Sequence, residues 1–369
     1  MRDKLLAVLR IALFAAFIVT ALPLWACRSS HPPDTKEANY SEAMQRAKLE
    51  RERVAESMTP PEVLEAWYRE LPPTKPTVTY NIKLDHPIAV GAIRVDGILV
   101  PFATFDGRAW RNHWPETQYG QNIRTLGRIP IATLPQHWWG GHPPVLRWWV
   151  LRRAALSTPV AVTGGSFVES LCGVSPALST DFVSGVPFRH RNAGLFLDGG
   201  APPAGVASSS ASIASPIDRV EAGSSDFPPV HRLLVELFAK LEPGVWPGRT
   251  IPETAKAPRV TGLYASNLPD GVRLFAFRAE RPLPFGRTAL VGWIRQDSSL
   301  KATVTSVRAF EADPDGKGEM VLHPEGMITL EGRTFWFGRG SGYEASTYVV
   351  LDVTEREPAM VLKVDAGMC

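Results

Sequence analysis

At 369 residues the chain is long enough for one large or two ordinary domains, which usually run about 100 to 200 residues, and its 44% hydrophobic and 21% charged fractions are those of a globular chain with a real core. The 33 prolines and 30 glycines favour turns and short elements and exclude an architecture of long helices. A formal charge of +3 without a concentrated basic stripe gives a nucleic-acid partner, which needs several phosphate-neutralising side chains on one face, no support.

Arg2, Lys4 and Arg10 make a basic start, and the apolar run from Ile11 to Trp25 is 15 residues, shorter than the roughly 20 that a spanning helix needs. Residues 1–26 therefore read as a signal peptide. The run ends Leu24-Trp25-Ala26-Cys27, which resembles a bacterial lipobox, and the resemblance implies that Cys27 receives a lipid. Trp25 departs from the small residue usual there, which leaves ordinary signal cleavage or an uncleaved anchor as alternatives. The expected location is the cell envelope, anchored to the membrane and facing the periplasm or the exterior. Cleavage would remove three basic groups against Asp3, so the exported chain would be nearly neutral. With Cys27 spent on lipid, Cys172 and Cys369 are the candidate disulfide pair, worth about 2–5 kcal/mol if formed, against the alternative of two unrelated thiols.

Residues 27–76 are expected to form a tether and N-terminal helices: Ser41 to Ser57 is a solvated helical stretch, and Thr59-Pro60-Pro61-Glu62 caps a second helix running to Leu71. Residues 77–198 then change to strand patterning as a Trp-rich β domain. Expected strands are Thr77 to Leu84, Ala92 to Val95, Ile98 to Phe105 and Arg108 to Trp114, the last three joined by Asp-Gly turns, whose glycine takes the positive φ of a tight hairpin. Leu126 to Val162 shows no one regular element. Residues 199–227, rich in Ala, Ser, Gly and Pro, read as a linker or loop. Residues 228–369 open with an amphipathic helix, Pro228 to Glu242, ended by Pro243-Gly244, and continue as antiparallel strands: Val260 to Ala265, Val272 to Ala279, Ala289 to Arg295, Ala302 to Phe310, Met320 to Leu322, Thr334 to Phe337 and Tyr348 to Val353. The expected fold class is mainly β with a few helices, in antiparallel meander sheets of sandwich, barrel or partial propeller type, after an N-terminal helical segment.

The segment Glu311-Ala312-Asp313-Pro314-Asp315-Gly316-Lys317-Gly318-Glu319 places acids at loop positions one, three, five and nine with glycine at six. Alternate residues of a tightly turned loop point inward, and such spacing builds an oxygen cage for a hard cation. It resembles the calcium loop of the integrin-type (FG-GAP) propeller repeat. That resemblance implies Ca2+ held by the side chains of Glu311, Asp313, Asp315 and Glu319 and the carbonyl of Lys317, at a hairpin tip between the strands ending at Phe310 and starting at Met320. Glu311 stands where Asp is usual, and a single copy occurs; a solvated acidic turn is the alternative. A cage filled by protein oxygens braces structure and leaves no position for a substrate.

Trp110, Trp114, Trp138, Trp139, Trp148 and Trp149 crowd within 40 residues. Flat aromatic faces stack on sugars or planar ligands, and they equally fill a β core. His113, His137 and His142 lack the spacing of a zinc site. Gly164-Gly165-Ser166-Phe167-Val168 lacks the final glycine of a nucleophile elbow, and no acid pair stands out for glycoside hydrolysis. No catalytic set is identified. The expectation is an exported, lipid-anchored envelope protein with a binding or scaffolding role, its partners the membrane and an envelope protein or glycan. The alternative is a secreted carbohydrate-active enzyme or glycan-binding protein using the tryptophans.

Overall fold

The computed structural model describes residues 78–115, 118–119, 130–151, 158–169, 173–183, 203–210, 214–253, 255–312, 320–342 and 345–368. The expected signal and lipobox, the expected N-terminal helices, Cys172, Cys369 and residues 313–319 lie outside them. Contact density divides the chain into Met1–Ser57 and Met58–Cys369, and the second unit is described here by itself.

Its first part is a closed barrel. Strands β1 (Ile88–Arg94), β2 (Ile98–Phe105), β5 (Arg147–Val150), β6 (Thr158–Glu169), β7 (Gly173–Thr180) and β8 (Pro203–Ser208) pair in the order β2-β1-β8-β5-β6-β7, and a β2–β7 pairing closes the ring; short β3 (Trp110–Arg111) and β4 (Gln118–Tyr119) extend it. All six barrel strands point side chains into one core: Ala89 and Ile93, Leu99, Trp148 and Val150, Val160, Leu178, and Ala207. Closure removes exposed strand edges. Both Asp-Gly turns form as expected, with Gly97 at φ 83° and Gly107 at φ 89°.

Two five-stranded antiparallel sheets follow. One runs β10 (Asp218–Arg219), β11 (Arg259–Asn267), β12 (Arg273–Leu283), β13 (Gly286–Gln296), β14 (Ala302–Glu311). The other runs β18 (Ala359–Met368), β17 (Ala345–Asp352), β16 (Arg333–Gly342), β15 (Val321–Leu330), β9 (Ala214–Pro216). Helix α1 (Phe227–Val245) lays Val230, Leu234 and Phe238, spaced at one helical face, on Leu263, Phe275, Phe277 and Leu290 of β11 to β13. The layers are therefore barrel, β15–β18 sheet, β11–β14 sheet and helix. Central strands are buried on both faces: Phe335 and Phe337 of β16 pack toward β1 and β2, while Trp336 between them packs toward Leu274 and Ala276 of β12. That is why these strands read as continuous apolar runs and not as alternating ones.

Three expectations are corrected. Thr77 to Leu84 is not a strand where described; it runs as coil, held by Tyr80 N–H to Arg108 C=O at 2.6 Å and Ile82 N–H to Gly107 C=O at 2.9 Å. Within 199–227, expected as a linker or loop, the described residues carry strands: β8 completes the barrel beside β1 and β5, β9 pairs with β15, and β10 pairs with β11. The small residues suit this course, since Val206 and Ala207 sit fully packed between neighbours. One core also joins Val90 and Phe102 to Ile328 and Phe335 across the proposed boundary. Finally, β14 and β15 do not form a hairpin. β14 belongs to the sheet of β10 to β13, and β15 to the sheet of β9 and β16 to β18.

Candidate functional site: a cleft between the two sheets

Antiparallel register places Tyr264, Ala276, Trp293 and Ser306 in one row across β11 to β14, and Gly262, Arg278, Val291 and Arg308 in the next. Residues two apart on a strand share a face, so both rows line the same wall. Opposite them Met320, Leu322 and His323 close a cleft of about 320 Å³. That volume lies at the lower end of the roughly 300–1,000 Å³ typical of small-molecule sites. The wall is aromatic and aliphatic at its centre, with polar groups at defined points.

His323 is the most perturbed of these. Its Nε2 lies 3.0 Å from Ser341 Oγ and its Nδ1 3.4 Å from the Tyr264 hydroxyl. Burial, then the positive charges of Arg339, Arg219 and Arg278, push its pKa down to about 4, so the ring is neutral at pH 7. The Ser341–His323 spacing is that of a nucleophile and base, but the group facing Nδ1 is a phenol where the triad logic needs a carboxylate, and Ser341 does not line the cleft. The neutral ring serves as a fixed polar anchor.

A pH dependence follows. Because the folded-state pKa is depressed, the unfolded chain takes up the proton first, as pH falls below about 6.5. The stability this histidine contributes is complete above that value and lost as pH falls toward about 4, amounting to roughly 2–3 kcal/mol. Urea unfolding between pH 7 and pH 4 should show this loss, and His323→Gln should flatten it; an unchanged slope in the variant removes His323 as the cause.

Arg278 donates to Glu280 Oε1 through Nη2 at 2.7 Å and Nε at 3.0 Å, and Glu280 also takes Arg287 at 3.3 Å. Arg308 lies over the Phe310 ring at 5.4 Å. Among the described residues it has no carboxylate partner.

The residues singled out by sequence fall elsewhere. Glu311 is the exposed last residue of β14, followed by buried Ala312, whose N–H bonds Arg287 C=O at 2.8 Å. Asp313, Asp315, Lys317 and Glu319 lie outside the described residues, as do Cys27, Cys172 and Cys369. Five of the six tryptophans are buried: Trp110 stacks on Phe105 between barrel and sheet, Trp148 fills the barrel, and Trp114 meets Trp138 and Trp139 edge-on at 4.9 and 5.3 Å beneath it. Trp149 alone is half-buried on the barrel wall. Five of the rings thus lie in the core, the alternative given above, and Trp149 keeps part of its surface exposed. His113 is half-buried and held below its ordinary pKa by desolvation first, with Arg111 and His142 adding to it. Among the described residues no three His, Cys, Asp or Glu side chains converge as a metal site. His323 and the two rows were not legible beforehand, because the signal is register across four strands.

Fold and cleft together define a layered antiparallel β protein with a small cleft between its sheets. No protein-family model matches the chain, and neither the curated proteins nor the solved structures contain a match.

Proposed function

We propose that this is an exported, lipid-anchored envelope protein that binds a small molecule in the cleft between its two five-stranded sheets. The observation that carries the reading is the cleft itself: about 320 Å³, apolar at its centre, with Tyr264, His323 and Arg308 around it. Export and anchoring rest on the Met1 to Cys27 pattern. The buried tryptophans give a glycan platform no support.

The test is titration of the full chain with the neutral fluorescent probe phenylnaphthylamine. Ser306→Trp, on an exposed residue of β14, fills the cleft at little cost to the fold. One-to-one binding by the wild type that this variant loses is expected. Equal uptake by both proteins would sink the reading.

The acidic loop joins the strands that carry Ser306 and Arg308 to those that carry Leu322 and His323, and as a calcium brace it would fix the spacing of the two walls. The expected result is a melting temperature that rises with calcium over chelator and no longer does so in Asp313→Ala and Asp315→Ala. Identical melting in all conditions leaves an ordinary acidic turn.

A further inference from the structure

We infer that Met320 and the glycine beneath it, Gly340, set the size of the apolar ligand that the cleft admits. This rests on the cleft being the binding site. Met320 precedes β15 and lines the cleft beside Leu322. Its side chain lies over β16 at Gly340, the residue that pairs with Leu322, and Thr347 on β17 donates its hydroxyl to the Met320 sulfur at 3.2 Å. A methyl group on residue 340 would overlap that sulfur and stand 2.7 Å from both Met320 Cγ and Thr347 Oγ1.

The backbone itself does not require glycine at this position. Gly340 is not among the residues with positive φ, and inside a strand a glycine gives up conformational entropy and side-chain packing. Two residues earlier the case is different: a methyl group on Gly338 would stand 2.6 Å from the His323 carbonyl oxygen and 3.1 Å from Pro324 Cα, so that glycine admits a neighbouring backbone. What Gly340 admits is a side chain. Met320 is unbranched and 41% exposed, and its flexible thioether yields where a strand backbone does not. Seated on Gly340, it leaves the space before Leu322, Trp293 and Val291 to a ligand; raised from that seat, it would take the space itself. The opposite wall has no such freedom, because Trp293 is backed by the fully buried Trp336 at 5.2 Å.

The experiment titrates the full chain with phenylnaphthylamine and with naphthylamine, which lacks the phenyl arm, and uses Ser306→Trp as the blank for uptake elsewhere. Wild type should bind the larger probe at least about tenfold more tightly. Gly340→Ala, by raising Met320, should weaken phenylnaphthylamine about tenfold and naphthylamine by about twofold or less. Adding Met320→Ala to Gly340→Ala should restore the larger probe, a rescue that a glycine needed only for the sheet would not show. Met320→Trp, at an exposed position that leaves β16 untouched, should reproduce the loss for the larger probe alone. Equal losses for the two probes, a loss that Met320→Ala does not restore, or no loss in Met320→Trp overturns the inference and leaves the cleft standing. Failure of Ser306→Trp to reduce either probe removes the cleft, and the proposed function with it.

Discussion

Trp336→Ala should destabilise the protein by about 3–5 kcal/mol, seen as a lower urea midpoint, because it empties the centre of the seam between the two sheets. The ring is fully buried, packs against Trp293 at 5.2 Å and donates its indole N–H to Ser266 Oγ at 3.0 Å. Burying some 200 Å² of aromatic surface at about 25 cal/mol per Å² gives a similar figure before the cavity is counted. Truncation also leaves Ser266 without its donor and Trp293 without its neighbour. Since Trp293 lines the cleft, probe binding should weaken in the same variant. Trp149→Ala is the control: the same chemistry on the half-buried barrel wall should cost about 1 kcal/mol or less, as for surface changes generally. Equal losses for the two substitutions would mean that the seam is not where the stability resides.

That contrast shows what the sequence could and could not say. Spacing identified the tryptophans as a cluster, but Trp148 and Trp149 are neighbours on one strand and face opposite ways, and only register decides which ring is buried. Strands carrying their own apolar pattern between turn residues were legible: Ile98 to Phe105 is β2 to the residue, and β11 to β17 each overlap an expected strand, β15 by only two residues. Elements whose order comes from partners were not. β8, Pro-Ala-Gly-Val-Ala-Ser, has linker composition and holds its place because β1 and β5 pair with it on both sides. β18 lacks a turn signal before it and is not among the expected strands. The β14–β15 hairpin failed for a related reason. Consecutive strands usually pair, yet β15 is taken by β16 on one edge and β9 on the other, while β14 ends its own sheet beside β13. The cleft is a product of that failure, since its two walls are the strands that did not pair. His323 carried no sequence signal because its character comes from burial first and then from arginines on three other strands.

The second large effect is electrostatic. Glu242→Ala should cost about 3–5 kcal/mol, as removal of one partner from a buried ion pair does. Glu242 continues the buried stripe of α1 after Val230, Leu234 and Phe238, and its side chain is 2% exposed. It sits in the last turns of the helix, where the macrodipole opposes a negative charge, so its position depends on Arg281. The guanidinium meets its Oε2 at 2.9 Å, lies over Phe238 at 5.1 Å and is itself only 13% exposed. Without the carboxylate, Arg281 would stay buried beside an aromatic ring with nothing to neutralise it. Glu236→Ala, exposed on the same helix, should be nearly silent. The double variant Glu242→Ala with Arg281→Met removes the stranded charge and should recover most of the loss, because Oε1 of Glu242 and Nε of Arg281 already lack partners and the pair repays its desolvation only in part. A double variant no more stable than Glu242→Ala alone would show that the cost comes from the glutamate's packing against the sheet and not from its charge.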